Sequence, residues 1–184
     1  MTKISRIWLA LGANSSSRLG APCATIYHTV HEIQRHNLTI FAHSSLISSP
    51  PIGFVHQKPF HNAVIGVRGS IAPAALLRLL KRLERAAGRR LGVRWGPRPL
   101  DIDILDFGGR IVGHPARETR RGTLILPHPG IADRGFVLVP LAEVAPRWHH
   151  PILGLSASAL LARRPGLAHG IVRLSSPTHE VESE

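Results

Sequence analysis

Apolar and polar positions alternate in the first part of the chain in a way that predicts both strands and helices. Ile7, Leu9 and Leu11 form a short alternating run that ends at Gly12, which is typical of a buried strand. Apolar side chains recur three or four positions apart after position 22 and again after Pro73, as in helices that bury one face. The predicted elements, in chain order, are a strand over 7–12, a helix over 22–36, strands over 38–46 and 62–67, a helix over 73–87 and a strand over 100–107.

The order of these elements, β-α-β-β-α-β, is the ferredoxin-like arrangement. We therefore expect an α+β protein with an antiparallel sheet, helices packed on it and a C-terminal extension. Two adjacent prolines and a glycine predict a loop over 48–61, and a second loop, rich in Arg and Gly, is predicted over 89–99. The remaining predicted segments are short helices over 136–144 and 155–162 and a polar, frayed tail over 175–184.

Length and composition are those of a single folded domain. The chain has 184 residues, 43% of them hydrophobic and 18% charged, which favours a packed core over disorder. We expect one domain over 1–184, with its motifs within about 5–150. No apolar run reaches the roughly 20 residues of a membrane span, and the run over 7–11 is too short for a signal peptide. With one cysteine, Cys23, the chain has no internal disulfide, and we expect a cytoplasmic protein without a membrane partner.

The basic charge of the chain comes almost entirely from arginine. The formal net charge is +12, and of the 23 Lys and Arg residues only Lys3, Lys58 and Lys81 are lysine. Arginine suits bidentate contacts with phosphate, but a compositional drift toward arginine explains the same total equally well. Charge alone therefore leaves nucleic acid, a nucleotide and an acidic surface open as partners.

The segment RWGPRPLDIDIL carries the most specific chemistry. Asp101 and Asp103 are two positions apart on a predicted strand, so both carboxylates face the same side, about 7 Å apart. Two carboxylates on one face repel each other unless a cation lies between them, and Mg²⁺ prefers such oxygen ligands. The alternative is a solvent-facing pair, which the adjoining Arg94, Trp95 and Arg98 make less favoured.

Two further segments add weaker signals. The Pro-Pro loop after Ser49 is followed by Phe60 and Asn62, and an Asn side chain can bind the amide-like edge of a ring. The segment PHPGIADRGF places His128 and Arg134, which suit phosphate, close to an aromatic side chain that can stack on a flat ring. Ordinary packing explains each of these residues taken alone.

Two familiar catalytic motifs are absent. The segment HEIQRH spaces its histidines five apart instead of four, so on a helix they diverge and do not form a zincin site. The sequence has no G-x-x-x-x-G-K-[ST], so a P-loop does not bind the polyphosphate.

In combination, RWGPRPLDIDIL, LPHPGIADRGFVLVPLAEVAP and SPPIGF followed by Phe60 and Asn62 resemble the 6-hydroxymethyl-7,8-dihydropterin pyrophosphokinase family of folate biosynthesis, over positions 7–146. The resemblance implies a ferredoxin-like fold and the transfer of the β,γ-diphosphate of ATP to the pterin, with release of AMP. It also implies two Mg²⁺ ions, ATP as co-substrate and a protein that we expect to be monomeric. It assigns no role to the Arg-rich segment 110–121 or to the C-terminal extension.

The resemblance also implies a role for individual residues. Asp101 and Asp103 match the magnesium ligands, and Arg89 and Arg98 match catalytic arginines, the former in a mobile loop. The implied pterin-binding residues are Ser49, Pro50, Ile52, Phe60, Asn62 and Phe136. The implied ATP-binding residues are Glu84, Trp95, Arg98, Ile104, Leu124, His128 and Arg134.

The alternative is a ferredoxin-like nucleic-acid-binding module, which the basic charge favours. Such modules stack bases on aromatic side chains of a central strand, but the segment NAVIGV over 62–67 has no aromatic residue. Paired aspartates would also repel phosphate in the absence of a metal. A requirement for Mg²⁺ in binding ATP or RNA distinguishes the two hypotheses.

Overall fold

The computed structural model describes residues 3–51, 57–89, 96–113 and 123–174. The strands are β1 (Ser5–Ala13), β2 (Thr39–His43), β3 (Ile47–Ser49), β4 (Phe60–Gly69), β5 (Asp101–Phe107) and β6 (Val172–Arg173). The helices are α1 (Pro22–Gln34), α2 (Pro73–Ala86), α3 (Gly135–Val144) and α4 (Ala157–Ala162), with 3₁₀ turns at Ile131–Asp133 and Pro165–Ala168. No helix within these ranges is long and apolar enough to span a membrane.

The six strands form one antiparallel sheet with β1 between β4 and β5. The strand order is β5-β1-β4-β3-β6, and β2 pairs with the part of β4 that β3 does not cover. Leu11 of β1 lies opposite Ala63 on one side and Ile102 on the other. The protein is therefore a mixed α/β structure with an open antiparallel sheet, as the apolar pattern predicts.

Helices cover the two faces of the sheet unequally. On one face, α1 and α2 pack their apolar stripes against Leu9, Leu11 and Ile102 in the main core. On the other face, α3 and α4 pack against Trp8, Val64 and further apolar residues that alternate with those of the main core. Since α3 and α4 cover only part of this second face, the ends of β1, β4 and β5 stay open there.

The predicted strand over 38–46 is wrong in its extent, because β2 ends at His43 and the next strand, β3, begins only at Ile47. Ser44 lies between them, and its hydroxyl oxygen accepts a hydrogen bond from the backbone N–H of Val64 at 2.9 Å. The Ser44 N–H donates in turn to the carbonyl of Val64. The Ser44 hydroxyl thus replaces a backbone carbonyl as the acceptor in the strand pairing. As a result, the register of the pairing with β4 shifts between β2 and β3.

The other predicted helices and strands are confirmed with small shifts at their ends, while 52–56 and 90–95 of the two predicted loops lie outside the described residues. Helix α2 ends before Gly88, whose φ of +100° is a conformation that glycine adopts without strain. Helix α4 begins at Ala157 because the Ser156 hydroxyl accepts from the N–H of Ala159. Strand β6 was not predicted, since Val172 and Arg173 are exposed and carry no pattern. The predicted tail 175–184 lies outside the described residues.

Candidate active site

A cavity of about 250 Å³ lies on the partly open face of the sheet, beside the first turn of α3. It collects residues from elements that are far apart in sequence: the ends of β1, β3, β4 and β5, and the start of α3. The residues that line it are Ala10, Leu11, Gly12, Ser49, Pro50, Gln57, Phe60, Asn62, Gly96, Arg98, Asp101, Asp103, Arg134 and Phe136.

Asp101 and Asp103 both line this cavity, while Ile102 and Ile104 point into the main core. Strand alternation produces this arrangement, because neighbouring side chains on a strand face opposite sides of the sheet. Two carboxylates at one end of a buried strand are therefore presented to the same cavity. Both carboxylates therefore face the same side of the sheet, as the spacing of Asp101 and Asp103 predicts.

Arginines on two sides neutralise Asp101. Its Oδ1 accepts from Nη1 of Arg89 and its Oδ2 from Nη1 of Arg98. Burial disfavours the charged carboxylate, but the combined fields of Arg89, Arg98 and Lys81 outweigh it and keep the pKa of Asp101 below its ordinary value. Asp101 is therefore ionised at neutral pH.

Asp103 lies near a different pair of side chains, one histidine and one arginine. Its Oδ2 lies 3.7 Å from Nε2 of His128 and 3.8 Å from Nη1 of Arg134. Burial lowers the pKa of His128 despite the nearby carboxylate, so this imidazole is neutral at pH 7. Its Nδ1 accepts from the N–H of Gly130 at 3.0 Å, which fixes the ring and leaves Nε2 toward Asp103.

Glu84 lies behind the carboxylate pair, outside the cavity wall. It is 2% exposed, and its Oε1 accepts from the N–H of Ile102 at 2.9 Å. The same oxygen is 2.7 Å from both Nζ of Lys81 and Nη1 of Arg89. Burial raises the pKa of Glu84, and the two cations partly offset that effect. Glu84 thus joins α2 to β5 at the residue between the two aspartates and orients Arg89.

Asn62 is buried at the other end of the cavity. Its Nδ2 donates to the hydroxyl of Ser49 at 2.9 Å. A Cβ placed on Gly12 would lie only 2.9 Å from Oδ1 of Asn62, so the absence of a side chain at position 12 leaves room for this amide. Gly12 was not singled out from the sequence, because only the fold brings it next to Asn62.

Asn14 connects two loops that border the cavity, a role that was not predicted from the sequence. The side chain is 3% exposed, and its Oδ1 accepts from the N–H of Arg98 at 2.7 Å. Its Nδ2 donates to Oε1 of Gln57 at 3.0 Å and to the carbonyl of Lys58 at 3.2 Å. A single buried amide therefore connects the end of β1 to the segments before β4 and before β5.

Phe60 and Phe136 supply the aromatic surface of the cavity. Phe60 begins β4 and Phe136 lies in the first turn of α3, so different elements position them. The guanidinium carbon of Arg134 is 5.9 Å from the ring centroid of Phe136, a cation–π distance.

The structure brings most of the predicted site residues together. Nine of them line the cavity, and Arg89 and His128 contact its carboxylates from outside the wall. The side chain of Ile104 is buried in the main core and that of Leu124 is partly buried against it, and a contact of either with the nucleotide stays a prediction. Ile52 and Trp95 lie outside the described residues, as do Arg90, Arg94 and most of the Arg-rich segment 110–121.

The carboxylate pair fits magnesium that is shared with a polyphosphate. No group of three or more His, Cys, Asp or Glu within the described ranges could hold a metal ion by itself. Mg²⁺ is commonly bound by one or two carboxylates together with the phosphates of a substrate and water. Asp101 and Asp103, open to a cavity that also presents Arg98 and Arg134, provide that donor set.

Paired carboxylates, arginines, a buried amide and two phenylalanines around one cavity are typical of enzymes that transfer phosphoryl groups to a flat heterocyclic substrate. The chain matches the family model described as 7,8-dihydro-6-hydroxymethylpterin-pyrophosphokinase (HPPK) over residues 8–146. The chain belongs to the HPPK family. The prediction of a pyrophosphokinase family of folate biosynthesis is confirmed, and the alternative of a nucleic-acid-binding module is not supported.

Curated relatives support the same family. The chain is 37% identical over 172 residues to the 2-amino-4-hydroxy-6-hydroxymethyldihydropteridine pyrophosphokinase of Pseudomonas aeruginosa, covering 93% of this chain and 98% of the relative. It is 34% identical over 143 residues to the enzyme of the same name from Methylorubrum extorquens, covering 78% and 84%. It also matches the folic acid synthesis protein fol1 of Pneumocystis carinii at 31% identity over 83% of this chain, but spans only 19% of that protein.

Solved structures show a similar fold. The wild-type HPPK-DHPS of Plasmodium falciparum, crystallised with pteroate, superposes with a TM-score of 0.69 over 96% of this chain, which corresponds to 47% of that protein. Sequence identity in this comparison is 15%, so the likeness concerns the fold alone.

Proposed function

We propose that this chain transfers the β,γ-diphosphate of ATP to the hydroxymethyl oxygen of 6-hydroxymethyl-7,8-dihydropterin and releases AMP. The observation that carries the proposal is the single cavity that joins Asp101 and Asp103 to Asn62, Phe60 and Phe136. One end of it suits a magnesium-bound polyphosphate and the other suits a flat ring with an amide-like edge. A transfer between two such ligands requires this proximity.

The pterin would bind at the Asn62 end of the cavity. The amide of Asn62 offers both a donor and an acceptor, and its hydrogen bond to Ser49 fixes its orientation. Phe60 and Phe136 would contact the faces of the ring, with Pro50 at its border. Ile52 is proposed for the same site on the family resemblance.

The nucleotide would bind at the aspartate end. Arg98 and Arg134 line the cavity there and would contact the phosphates, with His128 beside Asp103. Asp101 and Asp103 would hold magnesium, two ions by the family resemblance, which when bound neutralises phosphate charge and aligns the reacting groups. Glu84 would support the nucleotide site indirectly, by orienting Arg89 and binding the backbone of Ile102. Trp95 is proposed as a nucleotide contact on the family resemblance alone.

The reaction forms one bond and breaks one. The hydroxymethyl oxygen attacks the β-phosphorus in line, and the bond from the β-phosphorus to the oxygen that bridges it to the α-phosphate breaks. AMP leaves with that oxygen, and the hydroxyl proton passes to solvent. Arg89 and Arg98, which bind Asp101 in the free chain, would stabilise the charge that develops on the transferred group. Positioning and electrostatic stabilisation carry most of such catalysis.

The finer fold assignment is part of the proposal. We infer a ferredoxin-like core, supported by the position of β1 between β4 and β5 and by the helices α1 and α2 on one face. We also propose one domain over 1–184 and a cytoplasmic monomer whose partners are its two small substrates.

The products distinguish diphosphate transfer from the transfer of a single phosphoryl group and from ATP hydrolysis. Incubation of the chain with ATP, MgCl₂ and 6-hydroxymethyl-7,8-dihydropterin, followed by ³¹P NMR, should show AMP and a pterin diphosphate in equal amounts. ADP with a pterin monophosphate, or ATP consumption that does not depend on the pterin, would contradict the proposal.

A further inference from the structure

The segment after α4 crosses from the start of α3 to the edge of the sheet. We define residues 163–174 as the C-terminal strap. It contains the 3₁₀ turn Pro165–Ala168 and ends in β6. The strap lies beyond residue 146, where the match to the family model ends.

At one end the strap packs against the first residue of α3. A Cβ placed on Gly135 would lie 1.8 Å from the carbonyl oxygen of Leu167 and 3.1 Å from Cδ1 of Ile171. Even one methyl group at position 135 would therefore require the strap backbone to move. Gly135 stands between Arg134 and Phe136, both of which line the cavity.

At the other end the strap extends the sheet at β3. The N–H of Leu174 donates to the carbonyl of Leu46 at 2.8 Å, and Val172 pairs with Ser48. Gly170 passes beside Pro50, whose Cγ lies 3.4 Å from the Cβ position of that glycine. The β3 end of the cavity, formed by Ser49 and Pro50, therefore borders directly on the strap.

Glu143 of α3 binds both the strap and the residues that lead into β3. Its Oε2 is 3.2 Å from Nη2 of Arg173 on the strap. Its Oε1 accepts from the N–H and the hydroxyl of Ser45, immediately before β3, at 2.9 and 2.8 Å. The strap, α3 and the approach to β3 are thus held together on the side of β3 away from β4.

We propose that the C-terminal strap is a positioning element that sets the distance between the Ser49–Pro50 side and the Phe136 side of the pterin site. The inference rests on the proposed function. Both sides need such support: β3 has only three residues, and α3 begins at Gly135 without a side-chain cap from Arg134 before it. Elements this short take their positions from what packs against them.

Two pairs of variants test the strap while the rest of the full chain stays unchanged. Gly135→Ala forces the strap away from α3, and Gly166→Ala adds the same methyl group within the strap where no atom lies within 4 Å of it. Leu174→Pro removes the N–H that donates to Leu46, and Leu174→Ala removes the side chain but keeps that N–H. The readouts are the dissociation constants of 6-hydroxymethyl-7,8-dihydropterin and of a non-hydrolysable ATP analogue, with thermal unfolding to establish folding.

We expect pterin affinity to fall at least about tenfold in Gly135→Ala and in Leu174→Pro. Both control variants should stay within threefold of the wild type. In Leu174→Pro the affinity for the ATP analogue should be retained, since that substitution lies next to no proposed nucleotide contact. If one variant does not fold, the other decides by the same criterion for pterin affinity.

Pterin affinity within threefold of the wild type in the folded variants would overturn the inference, as would an equal loss of both ligands in Leu174→Pro. Failure of the proposed function has a different signature, because the wild-type chain itself would then bind no pterin. Normal binding by the wild type with unaffected variants would reject the strap alone.

Discussion

Asn14 and Arg98 are joined by hydrogen bonds in both directions. The N–H of Asn14 donates to the carbonyl of Arg98 at 3.0 Å, and the N–H of Arg98 donates to Oδ1 of Asn14 at 2.7 Å. Arg98 in turn binds Asp101 through its guanidinium group. A buried amide at the end of β1 therefore fixes the backbone from which a proposed catalytic arginine extends.

Replacement of Asn14 should impair catalysis without direct contact with the reacting atoms. Asn14→Ala leaves the N–H of Arg98 and the carbonyl of Lys58 without these partners, and such a loss costs about 1–3 kcal/mol of stability. We expect a lower Tm and a loss of about tenfold or more in kcat/KM, measured by steady-state AMP release. Ser16→Ala, an exposed change two positions away, is the control and should behave as the wild type. Wild-type kinetics for Asn14→Ala would show that the amide has no part in placing Arg98.

The phenylalanines should matter for one substrate only. Phe60→Ala and Phe136→Ala should each weaken pterin binding about tenfold, since stacking contributes roughly 0.5–1.5 kcal/mol beyond the buried area. ATP binding should change far less. The measurement is calorimetric titration of each ligand separately. Phe41→Ala, which removes an aromatic partner of Trp8 outside this cavity, is the matched control. An equal effect on both ligands would count against the aromatic contacts with the pterin.

Arg89 should act mainly in the transition state. Its guanidinium group binds both Glu84 and Asp101 in the free chain, so it can exchange a carboxylate for the transferred phosphates. Arg89→Ala should lower kcat about tenfold or more and change the dissociation constants of ATP and pterin less than that. The exposed Arg85, near the end of α2, provides the control Arg85→Ala. A loss of ATP affinity with kcat intact would identify Arg89 as a ground-state contact instead.

Asp106 should make stability depend on pH in a predictable direction. Burial raises the pKa of this carboxyl above 3.8, and hydrogen bonds from Gly109 and Trp148 offset only part of the shift. Ionisation is thus less favourable in the folded chain than in the unfolded one, and stability is lost as pH rises from 3.8 through the folded-state pKa. Asp106→Asn removes that loss, so its Tm relative to the wild type should be higher at pH 7 than at pH 4. A difference in Tm that is constant or falls with pH would refute the assignment.

The sequence predicts the parts of this protein that depend on local periodicity. Strand β5 is placed to within one residue, and the spacing of Asp101 and Asp103 is enough to put both carboxylates on one face. The division between β2 and β3 escapes prediction, because it depends on a hydrogen bond from Val64 to the hydroxyl of Ser44. Local spacing carries no information on such distant partners.

The same limit explains which residues at or beside the cavity are missed. Asn14 and Gly12 acquire their roles only through contacts with Arg98 and Asn62, which are distant in sequence. The carboxylate of Glu84 lies under β5, where it accepts from the N–H of Ile102, and its contact with ATP stays a prediction.

The two aspartates should differ in what they contribute to stability. An expectation from the sequence alone is that removing either carboxylate relieves repulsion and leaves stability unchanged or higher. In the structure Asp101 is paired with Arg89 and Arg98, and its pKa is lowered, so its charge stabilises the fold above pH 3.8. Asp101→Ala should therefore lower the Tm at pH 7 more than Asp103→Ala, because Asp103 has only neutral His128 at 3.7 Å and Arg134 at 3.8 Å. Equal Tm values for the two variants would contradict this ranking.

The most direct test of the central claim is kcat/KM for AMP release by Asp103→Ala, measured over a range of ATP and pterin concentrations at saturating Mg²⁺, with the exposed Asp133→Ala as control. If Asp103 binds the metal that neutralises the phosphates, kcat/KM should fall at least about 100-fold, or about 2.7 kcal/mol, while the Tm changes little. Asp133→Ala should retain the wild-type rate. Near-wild-type AMP release by a folded Asp103→Ala would contradict the account of the carboxylate pair as the metal-binding centre of diphosphate transfer.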